Sequence, residues 1–266
     1  FEFLKHEGYT LHATVQDHPF FETLTSTFDG KDVVKASPYE RIFEGLGKKI
    51  LDRLELLKTK EPWFYYIHIM DLHVAKDLPE EYSDEKFGLD SFDKRLSIID
   101  IWLGKFLEVI DREHTLIILT SDHGEFEHDL SRDFGSIPQL QNPLRKIKSI
   151  SPQFLEPIGV SMFVSIREAI KKKRINKLKK NLTDEESRYL LERGEGKLFD
   201  DTVHVPLLFS GYGILNHKII SQQVRHIDIF PTMLDIAKIN KFDWIDGNSL
   251  VPLFGHEKIT ELPAYI

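Results

Sequence analysis

Hydrophobic positions in this chain follow two rhythms. From Glu40 to Lys58, residues Phe43, Leu46, Ile50, Leu54 and Leu57 recur three or four apart, the period of one helical face. Ser91 to Ile110 repeats that period with Phe92, Leu96, Ile99, Leu103, Phe106 and Ile110, and Ser91 stands where an N-cap belongs. Other stretches are short, continuous apolar runs. Phe64 to Met70 is one, and its lack of alternation predicts a strand buried on both faces. Thr115 to Thr120 is a second, and Val203 to Phe209, closed by Ser210-Gly211-Tyr212-Gly213, a third. Thr10 to Val15 reads as a further strand, preceded by a helix end closed at Gly8. Phe20 to Ser37 is mixed and reads as loop-rich, and Ile229 to Ile239 as a helix with Asp228 as N-cap and Pro231 in its first turn. Strand, helix and strand between Phe64 and Thr120 form a βαβ pattern. The fold class that follows is α/β, with a central mostly parallel or mixed sheet flanked by helices.

The stretch from about 136 to 192 breaks this pattern and reads as a helical insertion. Lys171-Lys172-Lys173-Arg174, Lys177, Lys179 and Lys180 make it strongly basic, after an apolar segment from Phe154 to Ile170. Such a run reads first as a solvated helix face and second as a contact for an anionic membrane surface or substrate.

Composition narrows the possibilities. At 266 residues, 41% hydrophobic and 29% charged, the chain is globular in type. With 35 Lys and Arg against 43 Asp and Glu, its net charge of -8 argues against a dedicated nucleic-acid binder. An anionic substrate remains open, because a site needs only a local positive field. Cysteine is absent from the sequence, which rules out a disulfide, a zinc-thiolate centre or a cysteine nucleophile within these residues. No apolar run approaches the roughly 18 residues of a membrane span. Asn181-Leu182-Thr183 fits a glycosylation acceptor, a pattern that leaves the compartment open.

Ligands of a parallel α/β sheet gather beyond the carboxyl ends of its strands. Two polar clusters fall there: Asp71 and His73 after the aromatic run, and Asp122 and His123 after Thr120. A carboxylate and a neutral imidazole both bind divalent cations, and Gly124 allows a sharp backbone turn beside them. The same pair is equally consistent with an Asp that caps a helix and a His on the rim.

Five segments in order resemble the sulfatases of the alkaline-phosphatase superfamily. Pro62–His73, PWFYYIHIMDLH, resembles the family strand leading to Met-Asp-Pro-His, and Thr115–Glu125, TLIILTSDHGE, the strand that carries a metal-binding Asp followed by Asn or His. Leu198–Leu208, LFDDTVHVPLL, Arg225–Ala237, RHIDIFPTMLDIA, and Asp246–Phe254, DGNSLVPLF, resemble three later family stretches. The resemblance implies one sulfatase-like catalytic domain over 1–266, with the insertion inside it. It implies hydrolysis of sulfate esters assisted by one divalent ion, calcium first, with manganese or zinc as alternatives. Asp122 and His123 would hold the ion, and His73 would serve as general acid or sulfate donor. His18 would be the base that helps collapse a covalent intermediate, and Lys197 would clamp the anion.

The sequence also departs from the family pattern. Gln16 stands where the family has Lys, and Asp17 where it has Trp, just before His18. The family's first strand with two acidic ligands is absent, as is the Cys/Ser-x-Pro-x-Arg whose Cys or Ser becomes formylglycine. The sequence therefore reads as the middle and later part of a longer enzyme, inactive as an isolated piece. Two further readings stay open. One is a phosphoesterase, phosphonate monoester hydrolase or phosphoethanolamine-type transferase of the same superfamily; the other is a catalytically dead binding homologue.

Overall fold

A computed structural model describes residues 1–60, 62–73, 78–124, 200–215, 217–240 and 244–255, with a few isolated positions besides. The chain divides into two compact units, Phe1–Asp122 with Pro206–Ile266, and His123–Val205. The basic stretch from 136 to 192 lies almost wholly outside the described residues.

The first unit begins with α1 (Glu2–His6) and turns at Gly8, φ 87°, into β1 (Thr10–Gln16). Then come α2 (Pro19–Leu24), β2 (Val33–Ala36), α3 (Leu46–Leu57), β3 (Trp63–Ile67), α4 (Ser91–Val109) and β4 (Leu116–Thr120). In the second unit α5 (Asp200–Val203) is described, and back in the first unit β5 (Leu207–Gly211), α6 (Ile229–Ile236) and α7 (Val251–Phe254) follow. Among the described residues no helix is long and apolar enough to cross a membrane.

β1 is the centre of a three-stranded sheet in the order β2-β1-β3, parallel throughout, with Thr10 opposite Trp63 and Thr14 opposite Ile67. Its two faces differ. Leu11, Ala13 and Val15 enter one core with Leu4, Phe21, Phe28 and Leu234, against which Phe3 and Phe230 pack. The alternate residues His12, Thr14 and Gln16 are buried as well. Ala36, Ile42, Leu46, Ile50, Leu54, Ile98 and Phe106 form a second core, flanked by Tyr65 and Ile67. The sheet is thus a middle layer with helices on both sides, as the α/β reading requires. α3 and α4 approach closely because Gly47 has no side chain: a Cβ there would run into the Trp102 ring.

Several details differ from the sequence expectation, each for a local reason. The Glu40–Lys58 helix is broken at Gly45, φ 139°, into a 3-10 turn (Ile42–Glu44) and α3. The mixed region from Phe20 to Ser37 contains β2, whose four residues are too few to show a period. α4 is capped by Asp90, whose carboxylate accepts from Phe92 and Asp93 N–H, and not by Ser91. Its buried residues are Arg95, Ile98 and Phe106, while Leu96 is exposed, so the core stripe is rotated from the predicted one. β3 is half-buried along its length, not enclosed on both faces. β4 hydrogen-bonds to β5 in an antiparallel two-stranded ladder. β5 starts beyond Pro206, which has no N–H to give to a ladder. α6 does begin at Asp228, but that carboxylate turns away from the helix to accept from Arg225 and Asn248.

Candidate active site

The turn after β3 is built by Asp71. Its side chain is buried and both carboxylate oxygens accept from the Ile42 N–H, at 3.1 and 3.2 Å, while Arg41 donates to its carbonyl. Burial pushes the Asp71 carboxyl upward, and the Ile42 bond and the Arg41 and Arg95 charges pull the other way. Asp71 therefore fixes the turn and does not present its carboxylate to a ligand. His73, two residues on, is exposed, with its N–H on the Met70 carbonyl at 3.1 Å.

His18 follows the carboxyl end of β1 and caps α2. It is exposed, and its Nδ1 accepts from the Phe20 N–H at 3.2 Å. That bond occupies the Nδ1 lone pair, so the neutral ring carries its proton on Nε2. The residue one strand position earlier, Gln16, is buried and reaches across to β3. Its Nε2 donates to the His68 carbonyl at 3.2 Å, and its Oε1 lies 2.6 Å from His68 Nδ1. A carbonyl only accepts, so the amide orientation is determined: Nε2 faces the backbone and Oε1 faces the ring. His68 must then donate from Nδ1, and in the neutral ring Nε2 holds the lone pair. The Phe21 ring lies against the His68 imidazole with centroids 4.6 Å apart.

Asp122 is exposed beyond the end of β4. The end of that strand is tied down by a 3.1 Å contact between Thr120 Oγ1 and His226 Nε2. The Asp122 charge reaches the end of β3. Burial lowers the His68 imidazole, Asp122 opposes that shift, and His73 adds to it. Burial and then Asp122 raise the Tyr66 phenol. His68 is thus the ring on which the fields of Asp122 and His73 meet.

In the second unit, His123 Nδ1 lies 2.8 Å from the Gly124 carbonyl, to which it donates, and Gly124 N–H donates to the Thr202 carbonyl at 2.8 Å. In the neutral ring Nε2 then holds the lone pair. Among the described residues no group of three or more His, Cys, Asp or Glu side chains is placed to hold a metal. Lys197 lies outside the described residues.

Sequence reasoning named His73, His18, Lys197, Asp122 and His123, noted Gln16 only as a departure from the family pattern, and did not single out His68. His68 had a signal, as the one polar residue other than tyrosine in the run from Phe64 to Met70. Gln16 was marked by its place in the motif, but its pairing with His68 is visible only in the strand register.

A family model described as Sulfatase matches residues 1–239. Among curated proteins, Arylsulfatase K of Gallus gallus is 39% identical over 66 residues, 25% of this chain and 12% of that protein. Arylsulfatase K of Homo sapiens is 45% identical over 56 residues, 21% of this chain and 10% of the relative. A Drosophila melanogaster protein named Extracellular sulfatase SULF-1 homolog is 35% identical over 63 residues, 24% of this chain and 6% of the relative. The matched stretch is about a tenth of the length of the arylsulfatases.

Proposed function

Because the chain belongs to the sulfatase family, we propose that it forms part of a hydrolase acting on sulfate esters and contributes acid–base, anion-binding and metal-ligating groups. The observation that carries this reading is the family match over 1–239. The placement of His18, His68 and His73 just beyond the carboxyl ends of two adjacent parallel strands supports it.

The chemistry assigned to each residue follows from its protons. A sulfate ester carries charge on its nonbridging oxygens and builds more on the leaving oxygen as the bond breaks. His73, exposed beyond β3, protonates the leaving oxygen. His18, capped at Nδ1, offers an Nε2–H to a nonbridging oxygen. For His18 to act as a base instead, the bond from Phe20 would have to break, so the donor role fits its geometry better. Lys197 is proposed as a second anion contact. Asp122 and His123 are proposed to hold a divalent ion, calcium first, and such an ion supplies charge neutralisation of the anion. The substrate is an anionic ester.

The test is hydrolysis of an aryl sulfate and of an aryl phosphate by the full-length protein that contains this chain, with and without a chelator. Sulfate turnover that a chelator abolishes and calcium restores is expected. Preference for the phosphate ester would move the protein to phosphoryl chemistry, and inertness toward both would make it a binding homologue.

A further inference from the structure

We propose that His68 is a further catalytic residue, acting as a general base through Nε2, with Gln16 as its positioning residue. This rests on the hydrolase reading above.

Gln16 is held at both ends of its amide by His68, through the backbone carbonyl at 3.2 Å and Nδ1 at 2.6 Å. It is buried on the central strand, where a glutamine is costly unless satisfied. The two bonds therefore fix both the amide and the imidazole tautomer. The ladder continues into this pair, since His68 N–H donates to the Thr14 carbonyl at 3.0 Å, so the backbone beneath the ring is also held. Phe21 covers one side of the imidazole. Among the described residues nothing hydrogen-bonds to Nε2, and Nε2 is not one of the buried side-chain atoms left without a partner. The lone pair is thus directed, accessible and uncommitted. A base requires these three properties, and His18 lacks the last.

The proton balance is simple. Nε2 takes H⁺ from an O–H, of water or of an oxygen nucleophile. The O–H electron pair stays on oxygen, which attacks the sulfur; the S–O bond to the alcohol breaks, its electron pair leaves with the alcohol oxygen, which takes a proton from His73, and the His68 ring becomes an imidazolium still donating from Nδ1 to Gln16. Gln16 thereby contributes without touching substrate. If its amide were lost, the ring could turn over or place its proton on Nε2, and the base would be masked.

The experiment uses the full-length protein with an aryl sulfate and an aryl phosphate. His68→Ala should lower kcat about 10²–10⁴-fold with KM nearly unchanged, and added imidazole should restore part of the rate. Gln16→Leu should lower kcat about tenfold and shift the ¹⁵N resonances of His68 from the Nδ1–H toward the Nε2–H tautomer, while Gln16→Glu, which keeps the acceptor, should retain the Nδ1–H form. Wild-type turnover that survives His68→Ala overturns the base role alone, as does a loss that imidazole fails to rescue or a wild-type ring protonated on Nε2. A wild type inert toward both esters overturns the hydrolase reading, and the base role with it.

Discussion

Two histidines sit at opposite ends of one strand ladder, and their surroundings separate structural polarity from chemical polarity. His12, near the start of β1, is almost completely enclosed. Its Nε2 meets Thr10 Oγ1 at 3.2 Å, and its Nδ1 lies 3.3 Å from Asp32 Oδ1 and 3.4 Å from Arg53 Nη1. Arg53 also bonds Asp32 at 3.2 Å, so the cluster closes on itself. His68, at the carboxyl end of β3, is half-buried and held through one ring nitrogen only. Between the two, Thr14 Oγ1 and the Tyr65 hydroxyl are 2.6 Å apart, and burial pushes that phenol up to about 12. One face of β1 therefore passes from wholly satisfied polarity at one end to partly satisfied polarity at the other. Most buried polar groups in folded proteins are hydrogen-bonded. The uncommitted ring nitrogen of His68 is the one to which the base role is proposed above.

The contrast is sharpened most by His73→Ala. At the carboxyl end it should lower kcat about 10²–10⁴-fold while leaving the urea midpoint nearly unchanged, because His73 is exposed. Initial rates on an aryl sulfate, paired with urea titrations of the same preparation, check both halves. Unchanged turnover would reduce His73 to a loop residue. Asp71→Ala should give the converse result two residues away. It removes the acceptor of the Ile42 N–H and leaves the buried Arg41 and Arg95 guanidiniums without that carboxylate. A loss of about 3 kcal/mol of stability is expected, read as a lower urea midpoint, with kcat per folded molecule little changed near the optimum.

At the amino end, His12→Ala should cost about 2 kcal/mol through the hydrogen bonds it strips from a closed cluster. Its kcat should match wild type, because nothing in that cluster faces the carboxyl edge. A kinetic defect in His12→Ala at full stability would erase the distinction between the two ends of the ladder.

The elements that set up this contrast were unequally visible in sequence. The apolar runs at Thr10, Phe64 and Thr115 announced β1, β3 and β4, because a buried strand needs apolar side chains whatever its neighbours are. Pairing was less visible. β4 ends against β5, antiparallel, and no periodicity within Leu116–Thr120 encodes that partner. α4 is rotated so that Arg95, outside the predicted apolar stripe, is buried and its charge acts on Asp71. His18, His73, Asp122 and His123 were named through motif resemblance. The pairing of Gln16 with His68 was not legible, because the two residues are 52 positions apart and meet only once β1 and β3 are in register. Asp71 shows the opposite failure: its position suggested a ligand, but backbone capping uses its carboxylate.

The smallest effect expected is in the pH dependence of stability, and its sign follows from the two histidines together. Burial lowers both His12 and His68 below the ordinary imidazole value, although Asp32 opposes this at His12 and Asp122 opposes it at His68. In the unfolded chain each titrates near about 6.5. Above that value both states are neutral, and the histidines add no slope. As pH falls below it, the unfolded chain takes up protons that the native state resists, so stability declines until the native rings titrate in turn. Asp71 works in the opposite direction at more acid pH, because its native carboxyl is raised and protonates before its unfolded counterpart. The clearest window is therefore from pH 7 down to where carboxylates begin to titrate. Urea midpoints of the wild type should fall across it, and His12→Gln and His68→Gln should each flatten the decline. If both variants keep the full wild-type slope, the decline arises elsewhere, and burial of these two rings is not what makes the native state resist protons.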